Sequence, residues 1–239
     1  MANLMERLRG AVDPLDSLHP AAPGGNRPAG VLLLFDSRDA RLPLLFLERT
    51  EHLRHHAGQI GFPGGGSEPG DASIVDTALR EAAEEAGVRA GDVEVIGLLP
   101  PFLTATSDRW LTPVVGLQGG DIELLPDTFE VARLFRVSLQ DLIDAPHTVR
   151  HLSHEGVERQ VHFYEADDNV IWGVTGAIIA ELIERIPDFG RAYEPDGLTA
   201  EEFDTYGATV RTLRGFISSY WDLVRAVDDI LLPNPDARG

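Results

Sequence analysis

Glu81, Glu84 and Glu85 stand at i, i+3 and i+4. On a helix that spacing puts three carboxylates on one face, with neighbours roughly 5–6 Å apart. Like charges so close destabilise a bare helix, and burial raises their pKa values. A divalent cation removes the penalty, and carboxylate oxygens are the ligands that magnesium and manganese take. Taken alone, an ExxEE pattern is common on solvated helix faces. Here it has a neighbour in Phe62-Pro63-Gly64-Gly65-Gly66, a short loop upstream. A tight glycine turn lets the backbone approach a ligand closely, and can aim a carbonyl at a cation or amides at a phosphate. Arg80 precedes the first glutamate and can reach Asp76 or Glu84, each four residues away, and so hold the carboxylates in place.

The elements that must position these groups are legible as runs and stripes. Ala29 to Phe35 and Leu42 to Leu47 are apolar runs of strand length, separated by the polar, turn-like Ser37 to Arg41, and read as a hairpin. Gln59 to Phe62 is a third short strand, ended by Pro63 and the glycines. The acidic helix starts at Ser73 and Asp76, spaced like a capping box with Asp for Glu. Val75, Leu79, Ala82 and Ala86 make its apolar stripe, and Gly87 sits where a left-handed C-cap belongs. Val93 to Leu98, Trp110 to Leu117 and Val161 to Tyr164 read as strands, Val131 to Phe135 reads either way, and Val174 to Ile186 reads as a helix stopped by Pro187. Strands alternating with a few helices place the chain in the α/β (α+β) class, with a mixed central sheet between helices. Residues 1–27 are expected to be an irregular lead-in, rich in Pro, Gly and Ala after Asp13. Residues 187–239 form a separate stretch with helices expected over 200–216 and 217–232. Phe216, Ile217, Tyr220, Leu223 and Val227 are spaced like a helix seeking a partner face, which leaves open a dimer arm, a lid or plain packing.

Composition narrows the function classes. The chain has 239 residues, 43 % apolar and 25 % charged, enough for a real core. With no cysteine, disulfides, thiolate zinc sites and cysteine nucleophiles are excluded. The formal charge is -19, and arginine supplies every basic residue. A field this negative repels nucleic-acid backbones, and repels a phosphate substrate unless bound cations reverse the local sign. The first ten residues lack the apolar region of a secretory signal, and no run is long enough to span a membrane, so a cytoplasmic location is expected.

At this point the sequence resembles the Nudix hydrolases, whose signature is G-x5-E-x7-R-E-U-x-E-E-x-G-U with U aliphatic. Gly65 and Arg80-Glu81-Ala82-Ala83-Glu84-Glu85-Ala86-Gly87-Val88 carry the match. The first half departs from it. Ala72 stands where the box glutamate falls counting back from Arg80, and Asp71 where it falls counting forward from Gly65, so the loop is one residue longer. Asp71 is the candidate to replace that glutamate as a partner for Arg80. A longer segment, Phe46 to Gly65 (FLERTEHLRHHAGQIGFPGG), resembles the coenzyme A pyrophosphatase branch. Thr77 to Glu81, Thr112 to Val115 and Ile171-Trp172-Gly173-Val174-Thr175 are similar to further stretches of that branch. The resemblance covers residues 28–186, expected to be the Nudix domain, and leaves the tail without a counterpart.

The resemblance implies an α/β/α sandwich and cleavage of coenzyme A into 4′-phosphopantetheine and adenosine 3′,5′-bisphosphate, with Mg2+ or Mn2+. It implies Glu81, Glu84 and Glu85 as metal ligands, with the Gly65 carbonyl as a further one, and Arg80 as their orienting group. Glu130, just before Val131 to Phe135, is the hypothesised proton acceptor. Arg49, Arg54 and His56 either contact a substrate phosphate or brace the glycine loop. A different nucleoside diphosphate derivative, such as ADP-ribose or a dinucleoside polyphosphate, keeps the chemistry and changes the substrate. A nucleotide sensor without activity is disfavoured by the intact acidic residues. The expected partner is therefore a small nucleotide, not nucleic acid or membrane, with a homodimer left open. His147, His151 and His154 lack a patterned carboxylate for zinc. Ser67 and Ser73 lack a nucleophile elbow. Trp172, Tyr220 and Trp221 read as core or interface anchors rather than base-stacking platforms.

Overall fold

The computed structural model describes residues 3–17, 27–53, 56–104, 109–154 and 157–186, with 152–154 and 157–159 described by backbone alone. The chain divides into two compact units, Met1–Leu152 with Arg159–Arg191, and Ser153–Glu158 with Ala192–Gly239. The first unit holds the acidic helix. The helices expected over 200–216 and 217–232 lie outside the described residues.

The first element is a helix, α1 (Leu4–Ala11), where the sequence suggested an irregular lead-in. Asn3 caps it in a full capping box with Glu6, and Leu8 and Ala11 bury themselves in the main core. An eight-residue helix has little intrinsic stability, so this burial holds it. Then follow β1 (Arg27–Asp36), β2 (Pro43–Arg49), β3 (Ile60–Gly61), β4 (Gly64–Gly66) and α2 (Ile74–Ala86). Next come β5 (Val93–Leu98), β6 (Phe102–Leu103), β7 (Arg109–Gln118), β8 (Val131–Ser138) and α3 (Leu139–Asp144). The hairpin of β9 (His147–His154) and β10 (Val157–Ala166), then β11 (Asn169–Trp172) and α4 (Gly173–Arg185), complete the described chain. Among the described residues no helix is long and apolar enough to cross a membrane.

The main sheet runs β3-β2-β1-β7-β5, with β4 on β1, β6 on β7 and β8 on β2. β1 and β7 are parallel from Arg27↔Arg109 to Asp36↔Gln118, and the other pairings are antiparallel, so the sheet is mixed. β1 alternates cleanly. Val31, Leu33 and Phe35 join the core under α1, α3 and α4, while Leu32 and Leu34 join Ala78, Ala82 and Ala86 of α2. A sheet with apolar residues on both faces must be covered on both, which gives the expected α/β/α sandwich.

Two local expectations change. The hairpin of β1 and β2 is paired in register only at its tip, Phe35↔Leu44; beyond it that edge of β2 pairs with β3 through Leu47↔Gly61 and Glu48↔Ile60, while β8 runs along its other edge from Pro43↔Ser138 to Arg49↔Val131. The glycines do not form a turn there. They form β4, which takes the vacated edge of β1 through Ala29↔Gly66, Gly30↔Gly65 and Val31↔Gly64. Side chains would not fit: a Cβ on Gly64 would lie 2.4 Å from the Gly30 carbonyl oxygen. The segment Val131–Ser138, ambiguous in sequence, is a strand because β2 offers it a full partner.

α2 lies unusually close to β1. A Cβ on Gly30 would come 2.8 Å from the Ile74 carbonyl and 3.2 Å from the Ala78 nitrogen. Glycine below and alanine above let the backbones approach. Gly30→Ala must therefore push α2 off the sheet and cost about 1–3 kcal/mol, as overpacking does. A urea titration should show the midpoint falling with an unchanged slope; an unchanged midpoint would mean that the helix has room.

Candidate active site

Helix α2 is capped at both ends by its own sequence. Ser73 Oγ accepts from the Asp76 N–H at 3.2 Å and donates to the Asp76 carboxylate at 2.9 Å, in place of a reciprocal box. Gly87 adopts φ 71°, and its N–H donates to the Ala83 carbonyl at 3.1 Å. With Val75, Ala78, Leu79, Ala82 and Ala86 packed on the sheet, the three glutamates meet different surroundings. Glu84 is exposed, Glu81 is half-buried and Glu85 is 5 % exposed.

Two arginines compensate this charge. Arg80 donates to Glu81 and Glu84 at 3.0 Å each, to the Gly66 carbonyl at 2.9 Å, and to both oxygens of Asp71 at 3.0 and 3.1 Å. Asp71 does stand in for the missing box glutamate. The Glu68 N–H and the Thr77 hydroxyl also donate to it, each at 2.9 Å. Arg80 foremost, with the Glu68 N–H, holds the Asp71 carboxyl well below the usual range. The longer loop is thus closed by a shorter side chain. Asp76, considered above as a partner of Arg80, bonds to Ser73 instead.

Arg49 leaves β2 at an irregularity in its register with β8, between Glu48 and Arg49. Such a bulge re-aims a side chain. Its guanidinium donates to Glu85 at 3.3 Å and to Glu130 at 3.1 Å. Glu130 arrives from the other direction. The loop before β8 hydrogen-bonds to the end of α2, Leu125 N–H to the Ala86 carbonyl at 3.0 Å and Asp127 N–H to the Glu85 carbonyl at 3.1 Å. Those bonds place Glu130 over the helix terminus. β4 closes the group from below: the Gly64 N–H donates to Glu85 at 2.9 Å, and a Cβ on Gly65 would strike the Glu81 carboxylate at 2.5 Å. The glycines therefore serve carboxylate packing as much as backbone freedom.

The structure brings Gly65, Arg80, Glu81, Glu84, Glu85, Glu130 and Arg49 into one group, although Arg49 faces carboxylates where a substrate contact was one of two readings. His56 lies on an exposed loop at φ 58°, its Nδ1 2.8 Å from the Gln59 side chain. Arg54 is outside the described residues. Of the other candidates, Trp172 stacks on Phe163 with centroids 6.0 Å apart, and His147 stacks between His162 and Tyr164. An open cleft of about 380 Å³ lies beside Glu81, lined also by Arg27, Gly66, Ser67, Glu68 and Arg109. The other large hollow, about 460 Å³ around Ser37, Asp92 and Asp121, shares no residue with it. Sequence reading missed Arg27 and Arg109, which are remote in the chain and carry no motif.

The donor set is all oxygen, which suits a hard divalent cation. Yet among the described residues no three carboxylates or imidazoles stand as a ready-made ligand group. The carboxylates face Arg80 and Arg49, which fill the role of counter-cation. Burial pushes Glu85 up to about 7 despite the Gly64 N–H and Arg49, and burial also raises Glu81, reinforced by Glu84 and Glu130. Carboxylates raised this way are poised to gain by acquiring positive charge.

The profile of the NUDIX domain matches residues 25–160, and the chain belongs to the Nudix family. Within it, the chain is 38 % identical over 163 residues to the uncharacterized Nudix hydrolase NudL of Yersinia pestis (strain Pestoides F), covering 67 % of this chain and 80 % of that one. NudL of Yersinia pseudotuberculosis serotype O:1b is similar to the same extent, 38 % over 163 residues, 67 % and 80 %. Among solved structures, a MutT/nudix family protein from Enterococcus faecalis has a TM-score of 0.44 at 19 % identity, over 72 % of this chain and 66 % of its own. A C. elegans Ap4A hydrolase has a TM-score of 0.40 at 17 % identity, over 48 % and 83 %.

The raised Glu85 pKa makes stability depend on pH. Its folded value, about 7, lies above the ordinary 4.5, so its contribution is fully present below about 4.5 and is lost as pH rises through about 7. A shift of this size is on the order of 3 kcal/mol. Between pH 5 and 8 in EDTA, the native protein should lose stability relative to Glu85→Gln, read as urea midpoints. Parallel curves for the two proteins would show that Glu85 is not the strained group.

Proposed function

We propose that this protein is a divalent-metal-dependent diphosphatase that cleaves coenzyme A or its derivatives, with residues 28–186 as its catalytic domain. What carries the reading is where the segment Phe46 to Gly65 lies. The stretch that resembles the coenzyme A pyrophosphatase branch supplies Arg49 to Glu85 and Glu130, and Gly64 to Glu85. The branch-like segment and the acidic helix thus make one site.

Glu81, Glu84 and Glu85, with the Gly65 carbonyl, would hold Mg2+ or Mn2+, which when bound neutralises charge on the phosphoryl oxygens. Arg80 orients Glu81 and Glu84 and is itself tethered by Asp71. The cleft beside Glu81 orients the diphosphate. Glu130 accepts the proton of the attacking water as the new P–O bond forms and the bridging P–O bond breaks. 4′-Phosphopantetheine and adenosine 3′,5′-bisphosphate leave. Arg49 positions Glu130 and Glu85 against each other.

Purified protein with Mg2+ or Mn2+ should release both products from coenzyme A. Glu84→Gln should lower kcat by about 10²-fold or more, a loss typical when transition-state charge stabilisation is removed. Release of AMP from ADP-ribose without coenzyme A cleavage would retain the chemistry and overturn the substrate. For Glu130→Gln, a general base predicts a fall of about 10²–10⁴-fold in kcat. Near-normal turnover would remove Glu130 from that role.

A further inference from the structure

Arg27 and Arg109 begin β1 and β7 and are direct partners in the parallel register. Parallel neighbours of matched register point the same way, on strands about 4.8 Å apart. Like charges directly opposite on a sheet are destabilising. This chain carries -19 and ties most of its described arginines to a carboxylate or carbonyl, as with Arg9, Arg38, Arg41, Arg49, Arg80, Arg89, Arg133, Arg136 and Arg185. Among the described residues, the guanidiniums of Arg27 and Arg109 make no hydrogen bond or ion pair. Both line the cleft that Glu81 borders, and neither pairs with Glu81 or Glu68 there. Gly66 makes room for Arg109: a Cβ there would overlap Arg109 Nη1, so that guanidinium lies across bare backbone. Acidic side chains abound in this protein, and still none among the described residues neutralises this pair.

We propose that Arg27 and Arg109 form a two-pronged clamp for a phosphoryl group of the substrate, in the cleft that Glu81 borders. This rests on the diphosphatase reading for its substrate, but the clamp is testable without turnover. Planar guanidiniums bind phosphate through paired, charge-assisted hydrogen bonds, and two of them on adjacent strands offer donors on two sides. The bound group is either a phosphate monoester beyond the scissile diphosphate or an oxygen of the diphosphate itself.

The first measurement is calorimetric binding of adenosine 3′,5′-bisphosphate in EDTA at low salt, with adenosine as the uncharged control. Arg27→Ala and Arg109→Ala should each weaken binding of the bisphosphate about tenfold. Their melting temperatures should hold or rise, because no partner among the described residues is lost. A residue bracing the fold would lower them. Bisphosphate affinity equal to wild type in both variants, or no bisphosphate binding by wild type, would overturn the clamp. Turnover then separates the two sources. A KM raised for coenzyme A but not for 3′-dephospho-coenzyme A assigns the clamp to the 3′-phosphate; an equal rise for both assigns it to the diphosphate. Should wild type cleave neither compound while the variants still lose bisphosphate binding, the substrate reading fails and the clamp stands.

Discussion

Negative charge has to be crowded and still held in the fold, and the rest of the structure answers to that. Asp71, Glu81, Glu84, Glu85 and Glu130 are drawn together by two guanidiniums, Arg80 from within the helix and Arg49 from the end of β2. Neither arginine is interchangeable with lysine in this role. Arg80 reaches five acceptors on four residues through one rigid fork, which a single ammonium on a flexible stem cannot do. Removing one partner from such a group leaves buried charge uncompensated, which costs more than the pair contributes.

The backbone arrangement follows from the same need. For carboxylates of α2 to meet an N–H of β4, the helix must sit almost on the sheet. Gly30 under Ala78 permits that, and Gly64 to Gly66 permit a strand too narrow for side chains. β1 is the common support. It pairs with β4 on one edge and β7 on the other, buries alternate residues on both faces, and so fixes the helix, the glycines and the two cleft arginines relative to one another. Backbone hydrogen bonds within a doubly covered sheet are well suited to that, since water cannot compete for them.

Much of this was legible beforehand for physical reasons. The acidic helix carries its own start, stripe and stop in Ser73, Val75 to Ala86 and Gly87, all local in sequence. β5 and α4 were likewise recognisable as an apolar run and a proline-bounded stripe. The failures share a cause. α1 is short and polar on balance, and only burial of Leu8 and Ala11 against distant residues makes it a helix. β4 has no side chains from which a pattern could be read. β8 is ambiguous until β2, some ninety residues earlier, offers it an edge.

The division for this protein is therefore between what is encoded within a few turns of chain and what needs two distant segments to meet. The sequence by itself determined the carboxylate face, the glycine stretch beside it and the family, because spacing of three and four residues on a helix is a local geometric fact. Only the tertiary structure decided that Arg49 faces Glu85 and Glu130 and that Asp71 closes the longer loop onto Arg80. It alone set Arg27 and Arg109 side by side. Parallel pairing joins strands that require a long crossover between them, so the register that makes those two arginines neighbours is set by packing across the whole sheet and leaves no trace in either strand alone.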